Sequence, residues 1–323
     1  MTLHLDEKWV WDFWFARDEA DYHIFYLQAP RSLENPDLRH WHTTIGHAIS
    51  KDLIHWEILP DALVPSKHAD VFDNLTVWTG SIIKQDNTWY MFYTGTKREE
   101  QGKVQRIGMA ISEDLMYWRR HQDNPIMVID PHWYELLDES IWYEQAWRDP
   151  WVFEYDGRFH ALITARTNKG TPDTRGVIGY ACSVDLLHWE VKPPITKPGE
   201  FSYFEVPNLT CINNKWYLIF CVEAEKYSKQ RMKRLGYRQL SGTHYMIAEH
   251  PLGPFHAFPD DVLLADVKAS YYSGKIIQNP VGHWVLLASI QFGRGDGFIG
   301  DISDPILIKV GSDGELFVVG GKK

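Results

Sequence analysis

One phrase of eleven residues recurs along the chain and rules out most folds. It reads Gly46-His47-Ala48-Ile49-Ser50-Lys51-Asp52-Leu53-Ile54-His55-Trp56. It returns from Gly108 to Trp118, 62 positions later, and from Gly179 to Trp189 after 71 more. A looser fourth copy spans Ala248 to Phe255. Each copy predicts a strand, a Ser/Asp turn and a Trp-led return strand. Upstream lies a second phrase, an aromatic leading an apolar run. Its five copies begin at Tyr22, Trp89, Phe159, Trp216 and Trp284, spaced by 67, 70, 57 and 68 residues. Nine to twelve residues ahead of each, a further strand is predicted near Asp12, Gly80, Asp149, Glu205 and Tyr272.

At least three short antiparallel strands per unit, repeated five times with a period of about 65 residues, are the signature of a five-bladed β-propeller. The expected fold class is therefore all-β, one domain over residues 1–323. No Pro/Gly/Ser linker or break in composition divides the chain. The inner strands of the five blades are expected near residues 9–15, 77–83, 147–153, 204–212 and 270–277. Residues 131–145 and 226–238 interrupt the repeat and are expected to cover one mouth of the ring, the basic second segment as a solvated loop.

In such a ring the first strand of each blade lines the central channel. Three of the five place a carboxylate at nearly the same level: Asp12, Asp149 and Glu205. Asp12 sits in Trp9-Val10-Trp11-Asp12-Phe13-Trp14-Phe15, where a charge has little water to solvate it. Acids crowded together repel, so at least one is expected to hold its proton more tightly than usual. That division of labour suits glycoside hydrolysis, with one ionised carboxylate and one protonated acid. Asp12, walled by aromatics, is the candidate nucleophile. Glu205, the longer acid, is the candidate acid/base. Asp149 follows Arg148, whose positive charge is expected to keep it anionic, ready to bind sugar hydroxyls in the transition state. A metal ion is the competing use of three acids, but oxygen-liganded cations want six to eight oxygens, often from one loop, and no such Asp-rich loop is present. No cofactor or metal is expected.

Composition narrows the partner. Aromatics at 14% favour strands and offer stacking platforms for sugar rings. A net charge of -10 argues against nucleic acid and anionic membrane as main partners; it says little about a neutral substrate, and the partner expected from the acid chemistry is a small carbohydrate. Three cysteines without a Cys-x-x-Cys suggest neither a disulfide scaffold nor a thiolate zinc site. The absence of a leader-like start and of a long apolar run makes a cytoplasmic protein the expectation.

At the candidate residues the sequence resembles the β-fructosidase superfamily, glycoside hydrolase families 32 and 68. Trp11-Asp12-Phe13-Trp14 is close in form to the levansucrase-type Trp-Asp-x-Trp, and Gly46 to Trp56 is similar to an invertase segment. Trp78-Thr79-Gly80-Ser81, Arg148-Asp149-Pro150 and Glu205-Val206-Pro207 follow in the family's order, and Asp266 with Tyr271-Tyr272 resembles its fifth-blade Asp and Tyr. The resemblance implies a retaining enzyme acting on a β-fructofuranoside such as sucrose or a small fructo-oligosaccharide. Asp12 would be nucleophile, Asp149 transition-state stabiliser and Glu205 acid/base. Transfer to a second sugar stays open beside hydrolysis. Trp78, Ser81, Arg148, Asp266 and Tyr272 would bind substrate by the same likeness. Trp14 and Gln28, which flank the first inner strand and its return, are further binding candidates. The sequence departs from the pattern where Trp11 and Phe13 replace Asn and Pro, and where Val206 replaces Cys. The family-32 C-terminal β-sandwich has no room after the fifth blade.

Other readings remain for the same residues. An inverting family-43-like arabinofuranosidase or xylosidase would use Asp12 as general base, with carboxyls about 6.5–9.5 Å apart rather than about 5–5.5 Å. A non-catalytic sugar-binding propeller is the farther alternative. Trp56, Trp118 and Trp189 are read as blade packing, and Asp52, Asp114 and Asp185 as turn caps. His23, His42 and His47 are read first as hydrogen-bonded structure, with a place at the mouth as the alternative.

Overall fold

The chain winds into five antiparallel sheets, each made of strands consecutive in sequence. The computed structural model describes residues 3–320 other than 20, 235–238, 259–260, 294 and 296. Blade one holds β1 (Lys8–Arg17), β2 (Tyr22–Pro30), β3 (Thr44–Ser50) and β4 (Glu57–Leu63). Blade two holds β5 (Thr76–Gln85), β6 (Thr88–Thr96), β7 (Gln105–Ser112) and β8 (Arg119–Arg120). Blade three holds β9 (Trp147–Tyr155), β10 (Arg158–Arg166), β11 (Gly176–Ser183) and β12 (Trp189–Lys192). Blade four holds β13 (Glu205–Ile212), β14 (Lys215–Val222), β15 (Ser241–Ala248) and β16 (Val262–Asp266). Blade five holds β17 (Tyr271–Gln278), β18 (Trp284–Ile290), β19 (Asp301–Ile302), β20 (Ile306–Val310) and β21 (Leu316–Val318). The inner strands β1, β5, β9, β13 and β17 touch in order, and β1 touches β17. This is the five-bladed β-propeller that the repeat predicts.

The recurring phrase forms the turn between the third and fourth strands. Asp52 accepts the Ile54 and His55 N–H groups at 2.9 and 2.8 Å, while the Ser50 hydroxyl bonds the same carboxylate. Asp114 and Asp185 repeat the arrangement. Leu53, Leu115 and Leu186 share a φ of 65°. Like turns from the shared Ser-x-Asp-Leu identify the Ser and Asp as caps that satisfy backbone donors.

Neighbouring blades share no strand, so side chains hold them together. Five apolar clusters do this, one at each junction. At about 1.5–3 kcal/mol per large side chain fully buried, these clusters dominate the cohesion of the ring. The junction between blades five and one adds backbone bonds: Leu3 pairs with Ile302, and the Val10 N–H donates to the Gly300 carbonyl at 2.9 Å.

The aromatic β1 shows how the pattern works. Trp9 and Trp11 join the cluster shared with blade two, whereas Val10 faces blade five. Past Asp12 the phase inverts. Trp14 and Ala16 face blade two, and Phe13 and Phe15 face blade five. A strand keeps period two unless a residue is inserted. Asp12 is that residue, opposed by nothing on β2 between the Trp11–Leu27 and Phe13–Tyr26 pairs.

Among the described residues no helix is long and apolar enough to cross a membrane. The short helix α1 (Lys229–Arg234) lies in the basic segment after β14. That segment departs from the expected solvated loop. Arg231 is buried, paired with Asp261 at 2.7 Å and Glu200 at 3.0 Å, because its guanidinium fills a pocket over the Phe201 and Tyr227 rings. Residues 235–238 of the segment lie outside the described residues.

Candidate active site

Every inner strand carries a bulge. Breaks in register fall between Trp11 and Phe13, Trp78 and Gly80, Glu205 and Asn208, and Tyr272 and Lys275. On β9 the break leaves Asp149 and Pro150 opposite Ile163 alone. A bulge bends the strand and re-aims a side chain out of the two faces of the sheet. The backbone is strained to do so: φ is positive at Asp12 (20°), Asp149 (56°), Val206 (56°) and Ser273 (52°). A β-branched residue such as Val206 rarely adopts that region, and such strain clusters at functional sites. On β5 a glycine serves, since a Cβ on Gly80 would collide with the Phe92 carbonyl oxygen.

The bulges meet at a cavity of about 500 Å³ lined by Asp12, Asp149, Glu205, Arg148, Trp78 and Tyr272, among others. Asp12 takes two hydroxyl donors across the blade junctions, Thr79 Oγ1 to Oδ2 at 3.0 Å and Ser273 Oγ to Oδ1. Asp149 Oδ2 accepts from Thr164 Oγ1 at 2.8 Å and from the Val206 N–H at 3.1 Å. Glu205 accepts from Tyr272 at Oε1 (2.7 Å) and from Arg148 Nη2 at Oε2 (2.9 Å). Arg148 also bonds Glu144 at 2.7 Å, bonds Gln105 at 3.2 Å, and approaches Asp149 to 3.6 Å. One guanidinium thus serves two of the three acids, with its plane over the Tyr203 ring.

Burial raises the affinity of Asp12 for its proton, and the negative charge of Glu205 adds to it; the Ser273 and Thr79 hydroxyls oppose the shift. For Asp149 the balance differs from the sequence expectation. Burial outweighs the Arg148 charge, Glu205 and Asp12 add repulsion, and the carboxyl is pushed up to about 7. The expectation that Arg148 keeps Asp149 firmly ionised is corrected on that ground: the same cation is divided among Glu144, Glu205 and Asp149, and desolvation is larger.

Of the expected binding residues, the structure brings Trp78, Arg148 and Tyr272 to the cavity with the three acids. Trp78 is fixed by its indole N–H, which donates to the His40 carbonyl at 2.8 Å, and by contact with Trp41. Four others lie elsewhere. Trp14 is fully buried and stacked on Phe25 between blades one and two, because the inserted Asp12 reverses the face it occupies. Gln28 is buried inside blade one, where it bonds Thr44 and Asp61. Ser81 is buried and receives the Val152 N–H at 2.9 Å, tying blade two to blade three. Asp266 ends β16 of blade four and caps the turn into β17 through the Lys268 and Ser270 N–H groups. His23 and His47 are buried against each other at 2.9 Å within blade one, away from the mouth, and His42 is the exposed cap of a short helical turn.

The cavity also takes residues that sequence reasoning passed over. Arg39 lines it with its guanidinium over Phe298 (4.1 Å) and Trp11 (5.5 Å). Tyr143 and Glu144 come from the segment expected to cover a mouth, and Tyr203 and Glu223 from the ends of blade-four connections. Glu144 stands four residues before Arg148, and Tyr203 two before Glu205; nearness to the acids was the only signal in the sequence.

The structure is a five-bladed propeller with three acids and an arginine gathered by its bulged inner strands, and comparison with known proteins fixes the family. Residues 14–292 match the glycosyl hydrolases family 32 N-terminal domain, and the chain belongs to that family. The match begins two residues after Asp12, so the placing of Asp12 rests on the geometry above. The chain is 27% identical over 229 residues to sucrose-6-phosphate hydrolase of Bacillus subtilis, covering 68% of this chain and 43% of that protein. It is 28% identical over 221 residues to an invertase of Schizosaccharomyces pombe, covering 62% and 34%. It therefore spans less than half the length of these curated relatives. Among solved structures, inulosucrase from Halalkalicoccus jeotgali bound to kestose superposes with a TM-score of 0.79 at 21% identity, over 98% of this chain and 88% of that one. Bacillus subtilis levansucrase gives 0.78 at 17% identity, over 98% and 87%. These two likenesses are of fold.

Proposed function

We propose that the chain is a glycoside hydrolase that cleaves a small β-fructofuranoside of the sucrose or short fructo-oligosaccharide type, with retention. The observation that carries this reading is the delivery of Asp12, Asp149 and Glu205 into one cavity by bulges on three inner strands, with Arg148 between the second and third. The activities named for the sequence relatives support it. In the proposed reaction, an Asp12 oxygen attacks the anomeric carbon of the fructosyl unit. The bond to the leaving oxygen breaks as Glu205 gives it a proton. Asp149 receives hydrogen bonds from the sugar hydroxyls, which strengthen as positive charge grows on the ring. Water then adds to the same carbon, Glu205 takes its proton, and Asp12 is released. Burial raises the affinity of Asp12 and Asp149 for a proton. Glu205 suits the acid/base part, since its side chain is 19% exposed against 4% for Asp149. Trp78 and Tyr203 offer rings to the sugar faces.

The test is a screen of sucrose, inulin-type oligosaccharides, difructose anhydrides and aryl arabinofuranosides, with the first-formed anomer read by NMR. Release of β-fructose by the wild type, abolished in Asp12→Ala, is the expected result. An inverted anomer would replace the nucleophile by a general base, and full activity in Asp12→Ala would end the assignment.

A further inference from the structure

Behind the acids lies a cation that the proposed reaction leaves unused. Lys275 lies on β17, two residues past the Ser273 bulge, and is 3% exposed. An ammonium is seldom buried unless paired, yet among the described residues Lys275 makes no ion pair within 4.0 Å; its Nζ donates to the Val206 carbonyl at 3.1 Å. The charged and titratable groups that face it come from three other strands: Asp12 on β1, Asp149 on β9 and the buried thiol of Cys221 on β14. On its far side Lys275 borders a second cavity of about 400 Å³, with Trp151, Asn208 and Gln278. Those residues follow the bulges along their strands. Lys275 therefore stands between the acids and the opposite stretch of the channel.

Its bond to the Val206 carbonyl is informative. Val206 follows Glu205 and holds a φ of 56°, which its branched side chain disfavours. Its N–H is taken by Asp149 and its carbonyl by Lys275. The peptide that carries the candidate acid/base is thus fixed from both sides. Burial brings the Lys275 pKa down to about 8, opposed first by Cys221 and then by the two aspartates, and its charge joins the Ser273 and Thr79 hydroxyls in lowering the affinity of Asp12 for a proton.

We propose that Lys275 is a positioning residue for the acid trio: it clamps the Val206 carbonyl in the strained bulge and sets a positive charge behind Asp12. The inference rests on the hydrolase reading above. The experiment compares wild type, K275M and K275R on the same β-fructofuranoside over pH 4–9, with thermal unfolding in parallel. If the wild type shows no turnover on any furanoside, the hydrolase reading fails and this inference falls with it. Given an active wild type, K275M is expected to lose about tenfold or more in kcat with KM within about threefold. The acid limb of its kcat/KM profile should move up by about one pH unit, since a cation that favoured the carboxylate has gone. K275R keeps the charge, and its acid limb should stay within a few tenths of a unit of wild type. A folded K275M with the wild-type limb overturns the proposal. So does a K275R limb displaced by about a unit, and that variant decides the matter if K275M does not fold.

Discussion

Replacing Thr79 by valine removes one oxygen from the site and little else. The side chain is 3% exposed, valine copies its shape and β-branching, and the Thr79 carbonyl keeps its bond from Thr94. What is lost is the hydroxyl donating to Asp12 Oδ2 at 3.0 Å. A hydrogen bond to a charged group contributes about 1.5–3 kcal/mol, and about 1.4 kcal/mol corresponds to one pKa unit. The donor favours the carboxylate, so its removal should raise the Asp12 pKa by about one to two units. A nucleophile must be ionised to attack. The acid limb of kcat/KM should therefore shift upward by the same amount. At a pH well below the limb, kcat/KM should fall about 10- to 100-fold; on the plateau above it, the loss should be within about threefold. The assay is initial-rate fructose release from pH 4 to 9. A loss independent of pH, or a limb that does not move, would show that Thr79 does not act through the ionisation of Asp12.

Two further perturbations probe the other acids. Asp149→Asn is expected to stabilise the fold while abolishing turnover. The folded-state pKa lies above the ordinary 3.8, so the wild type loses stability as pH rises from about 4 to about 7, and the asparagine does not; calorimetry should show a Tm advantage of a few degrees at pH 8 that closes near pH 4. Glu205→Gln should cost about 10²–10⁴ in kcat on sucrose, yet much less on an aryl β-fructofuranoside whose leaving group needs no proton, and equal losses on both substrates would remove Glu205 from the acid/base role.

The ring was legible from spacing alone, because every blade must bury the same faces and therefore repeats the same phrases. Ser50, Asp52 and their two sets of counterparts could be read as caps for the same reason. The five bulges were not legible. Nothing in the residue types says that Asp12 is an insertion, although the aromatics around it contain the clue: Trp9 and Trp11 alternate in one phase and Trp14 in the other. Missing that shift put Trp14 in the site instead of the core. Gln28, Ser81 and Asp266 failed differently. Each is polar and near a motif, but its partners, Asp61, Val152 N–H and the 268–270 turn, lie within or between blades. Arg39 and Glu223 reach the cavity from connections whose paths no periodicity encodes.

The closure of the ring has a consequence for when this protein becomes competent. Asp12 belongs to the first blade formed during synthesis, but one of its two hydroxyl donors, Ser273, belongs to the last. The joint where the two ends of the ring meet runs through the proposed reacting centre. A nascent chain with four blades would hold that carboxylate with the Thr79 donor alone, and chemistry would switch on only as the fifth sheet docks against the first. Catalytic rate would then report, in a single measurement, whether the circle is complete.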